Sequence, residues 1–451
     1  MIRLPRKSAS TENSLYHSLG LKDLPFPTDP VVNPYSDDPR RNGTIYATAP
    51  VQDKINQFEQ LLIRPGDFLN RIRLAYLWSK GDQQSGRGMG KTALLRYFRQ
   101  RINKDWGDTE FNGQFSAVVV YVSFSSQVDR RYMEQLALSA LIDICKSGVL
   151  DASRAALRYD NLTETQADVV LNYGAEADPG NLLNNDVLKA CSIEPAKLDT
   201  AIAQRLIKEG VSAATATALA RGTFEDHLRS FRRDGNLEPL YVPRDTRILD
   251  YSRTLLFNDV VHYLRAARFA GGYLFIDDIE NLVDQMTRKD RIEFAKEFAL
   301  CTVRPGYANT AYNFFSCVLT THQASAYSLT QAWGEAGLAA IARLDPDATH
   351  SVELPLPRPD QAERIVVAHL DHYRADPADH GSIKPFTPDG MGELLRGRQL
   401  PRVLLSSAAT VITHAAGLGI PLIDAAVVKA ALESSLPPVK PSFTTGLDDV
   451  V

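Results

Sequence analysis

Residues 85–92 read SGRGMGKT, and these residue types in this order suit the binding of phosphate. Glycines let the backbone curl so that successive N–H groups face an anion, and a following helix adds the positive end of its dipole. Ser85, Gly86, Arg87, Gly88, Met89 and Gly90 form the curl. Lys91 brings an ammonium to the outer phosphates, and the Thr92 hydroxyl is a ligand for Mg²⁺. Ser85 stands where the pattern G-x-x-x-x-G-K-[ST] has glycine, with Gly86 and Gly88 left to supply the turns. The alternative is a glycine-rich turn with no ligand.

A second constellation lies at residues 272–281, GYLFIDDIEN. An unbroken apolar run at 273–276 suits a strand buried on both faces of a parallel sheet. Acids at its carboxyl end are costly unless they are solvated or meet cations. Open α/β sheets place their ligands outside the carboxyl ends of the strands. The run resembles a Walker B motif, in which Asp277 holds Mg²⁺ through water and Asp278 polarises the attacking water. Glu280 is an alternative base or a cap of the next helix. A surface strand ending in a solvated turn is the competing reading.

These groups need a scaffold, and the pattern around them supplies one. Strands are expected at 72–79, 115–124, 273–276, 314–321 and 351–355, with helices at 51–64, 92–102, 130–146, 252–269 and 288–303. Residues 148–250 interrupt the alternation with mostly helical sequence, and beyond residue 360 the pattern is helical only. The expected domains are an extended arm (1–50), a first α/β part (51–147), a helical insertion (148–250), a second α/β part (251–357), a helical lid (358–436) and a flexible tail (437–451). The 451 residues are 44% hydrophobic with net charge −4, so no global basic field advertises nucleic acid. Cys145, Cys191, Cys301 and Cys317 lie far apart, which fits reduced thiols in a cytoplasmic protein. No apolar run approaches membrane-spanning length, and the basic N-terminus lacks the apolar stretch of a secretory signal.

Taken together, the motifs over residues 51–435 resemble AAA+ ATPases. That resemblance implies a three-layer P-loop NTPase core with a parallel sheet, a lid, ATP/ADP and Mg²⁺ as cofactors, and a homo-oligomer with shared nucleotide sites. The strand ending VLTTH is similar to a sensor-1 strand, with Thr321 and His322 at the position where families usually carry a polar residue, often Asn. Arg343 occupies the place of an arginine finger acting on a neighbour's nucleotide, and Arg402 in GRQLPRVLL is similar to a sensor-2 arginine. Either arginine can instead be a surface residue in a salt bridge. The phrase LGLKDLPFPTDPVVNPYS is similar to the opening of bacterial transposition-helper and secretion ATPases, and the lid to the origin-recognition initiator clade. In such proteins the arm lies against adenine, which would place Tyr35 and Tyr46 in a base pocket.

The implied function is an ATP-driven switch or loader on double-stranded DNA or a DNA-directed partner complex, in a mobile-element or anti-phage setting. A STAND-like signalling NTPase and a non-hydrolysing nucleotide-binding scaffold are the alternatives. The insertion is the natural reader of a protein partner or DNA. Residues 202–222 resemble a helix-turn-helix, and Arg229, Arg232 and Arg233 surround Phe231 beyond it. A small Ala-rich helical bundle is the plainer reading of the same segment. His369 and His372, with Asp371, lie on one amphipathic helix, more often a solvated face than a metal site.

Overall fold

The computed structural model describes residues 15–28, 38–63, 72–80, 88–123, 132–174, 176–233, 252–304, 314–397 and 400–435. In chain order the main elements begin with α1 (Pro39–Asn42), α2 (Gln52–Phe58), β1 (Leu74–Ser79), α3 (Lys91–Asp105), β2 (Ser116–Ser123) and α4 (Tyr132–Ser147). The insertion contributes α5 (Val149–Asp160), α6 (Glu164–Leu171), α7 (Asn185–Ala190), α8 (Pro195–Lys208), α9 (Ala213–Arg221) and α10 (Phe224–Arg233). Then follow α11 (Ser252–Ala266), β3 (Phe269–Asp277), α12 (Ile279–Val283), α13 (Arg288–Phe298), β4 (Phe315–His322), α14 (Gln323–Glu335) and β5 (Ser351–Leu354). The chain closes with α15 (Pro359–His372), α16 (Pro388–Leu395), α17 (Pro401–Leu418) and α18 (Ala425–Ser435).

The strands form one five-stranded, all-parallel sheet in the order β2-β3-β4-β1-β5. β1 and β4 are buried along their whole length, as strands covered on both faces must be. On one face Leu74, Tyr76, Trp78, Val118, Val120 and Leu274 join a large apolar cluster with α4, α11, α13 and α14. On the other, Phe58 of α2 stacks on Phe98 of α3 at 4.8 Å and meets Phe275 edge-on at 6.2 Å. Helices therefore cover both faces. The outer edge of β2 is sealed by side chains: the Asn103 amide pairs with both backbone groups of Val119, and Asp143 accepts the Tyr121 N–H. Such capping removes an open edge that would otherwise pair with another chain.

Two boundaries differ from the sequence expectation. The helix expected over 252–269 ends at Ala266, because Arg268 adopts a left-handed backbone (φ 70°) and its guanidinium pairs with Asp160; Phe269 already opens β3. β3 tolerates two glycines because β2 comes so close: a Cβ on Gly272 would lie 2.5 Å from the Val118 carbonyl oxygen. The insertion is not a separate body. Its helices α5–α10 bury residues in the same cluster as the sheet, around the fully buried Arg158.

The described parts of residues 1–52, 88–90 and 356–451 form a second compact unit. Here the arm departs from the extended form expected. Its described residues 15–28 hold a 3-10 turn (His17–Leu19) and place Leu19, Leu21, Leu24 and Phe26 in the apolar core of α15–α18. Lys22 N–H donates to the Tyr373 carbonyl, and Ala375 N–H to that of Gly20. His369 is buried against Phe26 and bonded to the Pro25 carbonyl; burial pushes its pKa down to about 4. It is a neutral core residue of this strap rather than part of the solvated face expected, while His372 is exposed. Within the same unit the Arg402 N–H donates to the Gly88 carbonyl at 3.3 Å.

Candidate functional site

Three strands bring their carboxyl ends together. β1 ends at Ser79, β3 at Asp277 and β4 at His322, with β4 lying between the other two. Lys91, the first residue of α3, is 7% exposed, and its ammonium donates to Ser79 Oγ at 2.7 Å. Strand end and helix start are thus pinned on either side of the glycine-rich loop. Gly88 (φ 83°) and Gly90 (φ 91°) are left-handed, and a Cβ on Gly88 would meet the Arg402 side chain at 2.9 Å. Thr92 is half-buried, one residue into the helix. Ser85, Gly86 and Arg87 lie outside the described residues, as does Tyr35. Tyr46 is half-buried in the arm.

Asp277 is completely buried and both its carboxylate oxygens are held by hydroxyls. Tyr121 donates to Oδ2 at 2.5 Å and Thr320 to Oδ1 at 2.6 Å. Asp278 has a left-handed backbone (φ 56°), uncommon for any residue but glycine, which turns the chain from β3 into α12 within one residue. Its N–H donates to Thr320 Oγ1 at 3.0 Å, and Ser123 donates to its carboxylate at 3.3 Å.

Glu280, in the first turn of α12, is 1% exposed, and its Oε2 is buried without a hydrogen-bond partner. Burial raises its pKa to about 7; the Lys91 ammonium opposes the rise, while Asp278 and Asp277 add to it. A carboxyl poised there and unbonded at one oxygen can exchange a proton at neutral pH.

The sensor-strand residues are redistributed. Thr320, not Thr321, reaches the acids, because alternate strand residues face opposite sides and Thr320 shares the face of Asp277. Thr321 is buried and donates to the His322 carbonyl. His322 caps α14: its Nδ1 accepts the Ser325 N–H, which leaves the Nε2 proton for Ser325 Oγ at 3.1 Å. Ser325 in turn donates to Asp284 at the end of α12. Arg343 lies before β5 with its side chain 68% exposed and paired with Asp345 at 2.9 Å. Arg402 is exposed.

Sequence reasoning passed over Ser79, Tyr121, Ser123 and Thr320. The available signal was polar side chains at the carboxyl ends of apolar strands, read with the two-residue alternation.

In the insertion, α9 follows α8 after a short turn but buries Thr215, Ala216, Ala218, Leu219 and Ala220. Its start is pinned to α11 by Ser212 Oγ donating to Asp259 at 2.6 Å, so little remains to enter a groove. Arg229 is engaged by Glu225 at 2.6 Å and by Asp226.

No protein-family model and no curated protein matches this chain. No helix among the described residues is long and apolar enough to cross a membrane.

Proposed function

We propose that this protein is an ATPase of the AAA+ type that binds Mg²⁺·ATP over Lys91 and hydrolyses it with Glu280 as general base. The observation that carries this reading is the meeting of Lys91, the satisfied Asp277 and the unsatisfied Glu280 at adjoining strand ends. Glu280 feels the Lys91 ammonium and the carboxylates of Asp278 and Asp277, an excess of negative charge that a divalent cation would balance. Among the described residues no group of three His, Cys, Asp or Glu side chains is set to hold a metal alone. Mg²⁺ keeps several waters and is bound through few carboxylates plus substrate phosphates. Thr92 and Asp277 are the residues that would hold it, and when bound it neutralises charge on the transferred phosphoryl group.

The remaining work falls to side chains of the chain itself. Lys91 neutralises the phosphate oxygens. Glu280 takes the proton of the attacking water through its free oxygen, and Asp278 turns the backbone that aims it. This reverses the order of the two acids expected from sequence, because Asp278 spends its backbone on the turn while Glu280 keeps an unbonded oxygen near neutrality. Arg343 is exposed enough to serve a neighbouring copy, which supports the shared-site oligomer.

The insertion favours a protein partner over double-stranded DNA as the target of the switch. Arg229, expected at phosphates, is already paired with acids, and α9 offers Ala213, Ala214 and Arg221 to solvent. Phosphate release from ATP with and without double-stranded DNA tests both parts. Turnover that needs Mg²⁺ and ignores DNA is expected. Tight nucleotide binding with no turnover would leave the scaffold reading standing, and DNA-stimulated turnover would restore the DNA-directed one.

A further inference from the structure

We propose that Tyr121 is a positioning residue for the metal-facing carboxylate of Asp277, held in place by the arginines of α3, a role that rests on the nucleotide reading above. Tyr121 sits on the edge strand β2 and is fixed three ways. Its hydroxyl donates to Asp277 Oδ2 at 2.5 Å. Its ring lies under the Arg96 guanidinium, 4.9 Å from the ring centre, with Nη2 3.4 Å from the phenol oxygen. Its backbone N–H donates to Asp143, whose other oxygen takes a 3.0 Å hydrogen bond from Arg99.

Arg96 and Arg99 belong to the helix that starts at Lys91. The helix that receives phosphates therefore also aims the carboxylate on β3, through Tyr121. Thr320 holds the second oxygen from β4, so the carboxylate plane is set from two sides. Each oxygen of an ionised carboxylate has two acceptor positions, and one hydroxyl on each leaves a second position unused. Phenylalanine would fill the same space and stack on Arg96 in the same way; only the hydroxyl makes the bond to Asp277. Groups that orient a ligand's carboxylate typically matter about 10–100-fold in metal affinity or activity.

The test titrates Mg²⁺ against binding of a fluorescent ATP analogue to the full chain, beside a parallel titration of the analogue in EDTA. Tyr121→Phe should raise the Mg²⁺ concentration for half-maximal binding by about tenfold or more. Its affinity in EDTA and its thermal midpoint should stay near those of the unmodified chain. Arg96→Lys, which loosens the ring and removes the 3.4 Å bond from Nη2 while leaving the phenol hydroxyl in place to donate to Asp277, should shift the Mg²⁺ requirement in the same direction by less, and is read even if the first variant does not fold. An unchanged Mg²⁺ requirement in folded variants overturns the assignment, as does an equal loss with and without Mg²⁺, the mark of a purely structural residue. If the unmodified chain binds no nucleotide in either condition, the nucleotide reading itself falls and the role of Tyr121 with it.

Discussion

The helical insertion and the strand-end site both bury charge, and they treat it in opposite ways. In the insertion Arg158 is fully buried, yet every arm of its guanidinium is used: Nε and Nη2 donate to Asp199, Nη1 to the Leu182 carbonyl and Nη2 also to Asn185. At the strand ends Glu280 is as deeply buried, but one oxygen has no partner and its pKa is lifted to about 7. A satisfied buried ion fixes one arrangement of helices. An unsatisfied one costs stability, and chains retain that cost mainly where chemistry uses it. The comparison sets a satisfied buried ion in the insertion beside an unsatisfied one at the strand ends.

The largest effect that would sharpen this contrast concerns the exposed arginine. If Arg343 completes a neighbour's site, Arg343→Ala should lower turnover by about 10³–10⁵-fold, the range for arginine fingers. Mixing it with Lys91→Ala protein should restore part of the activity, since each supplies what the other lacks; no recovery at any ratio would assign Arg343 to the surface pair with Asp345.

Glu280→Gln comes next, with turnover down about 10²–10⁴-fold and nucleotide binding kept. It should also stabilise the protein in a pH-dependent way. Because the folded pKa lies above the ordinary value of 4.5, the folded chain holds this proton more tightly than the unfolded chain. Stability from that proton is complete below the ordinary value and is lost as pH rises through about 7. Gln removes the loss, so Glu280→Gln without nucleotide should unfold at higher temperature than its parent at pH 8, by at most about 3 kcal/mol. At pH 5 the gap should close. Equal thermal midpoints at both pH values would break the comparison.

Asp199→Ala is the mirror experiment. It strands Arg158 in the core and should cost about 3–5 kcal/mol by chemical denaturation, with turnover per folded molecule unchanged. The smallest effect is expected of Arg229→Ala, whose pairs are exposed: less than about 0.5 kcal/mol in stability and no change in any affinity for DNA.

Much of this contrast was legible in the sequence. The buried runs at 117–122 and 273–276 announced the strands of a parallel sheet. Three things were not. The partner of Asp277 on β4 depends on which strand face Thr320 and Thr321 occupy, and that is set by register with β1 and β3 rather than by composition. The arm's destination was equally hidden: Leu19, Leu21, Leu24 and Phe26 are visibly apolar, but their partners lie more than three hundred residues away on α15–α18. Likewise nothing local revealed that His322 would turn toward Ser325 as a helix cap.

The most direct test of the strand-end site identifies the nucleotide that stays on the protein after incubation with Mg²⁺·ATP and rapid gel filtration. The unmodified chain should carry ADP, Glu280→Gln intact ATP, and Lys91→Ala neither. ADP on Glu280→Gln at the parental rate, or undiminished nucleotide on Lys91→Ala, would contradict the account.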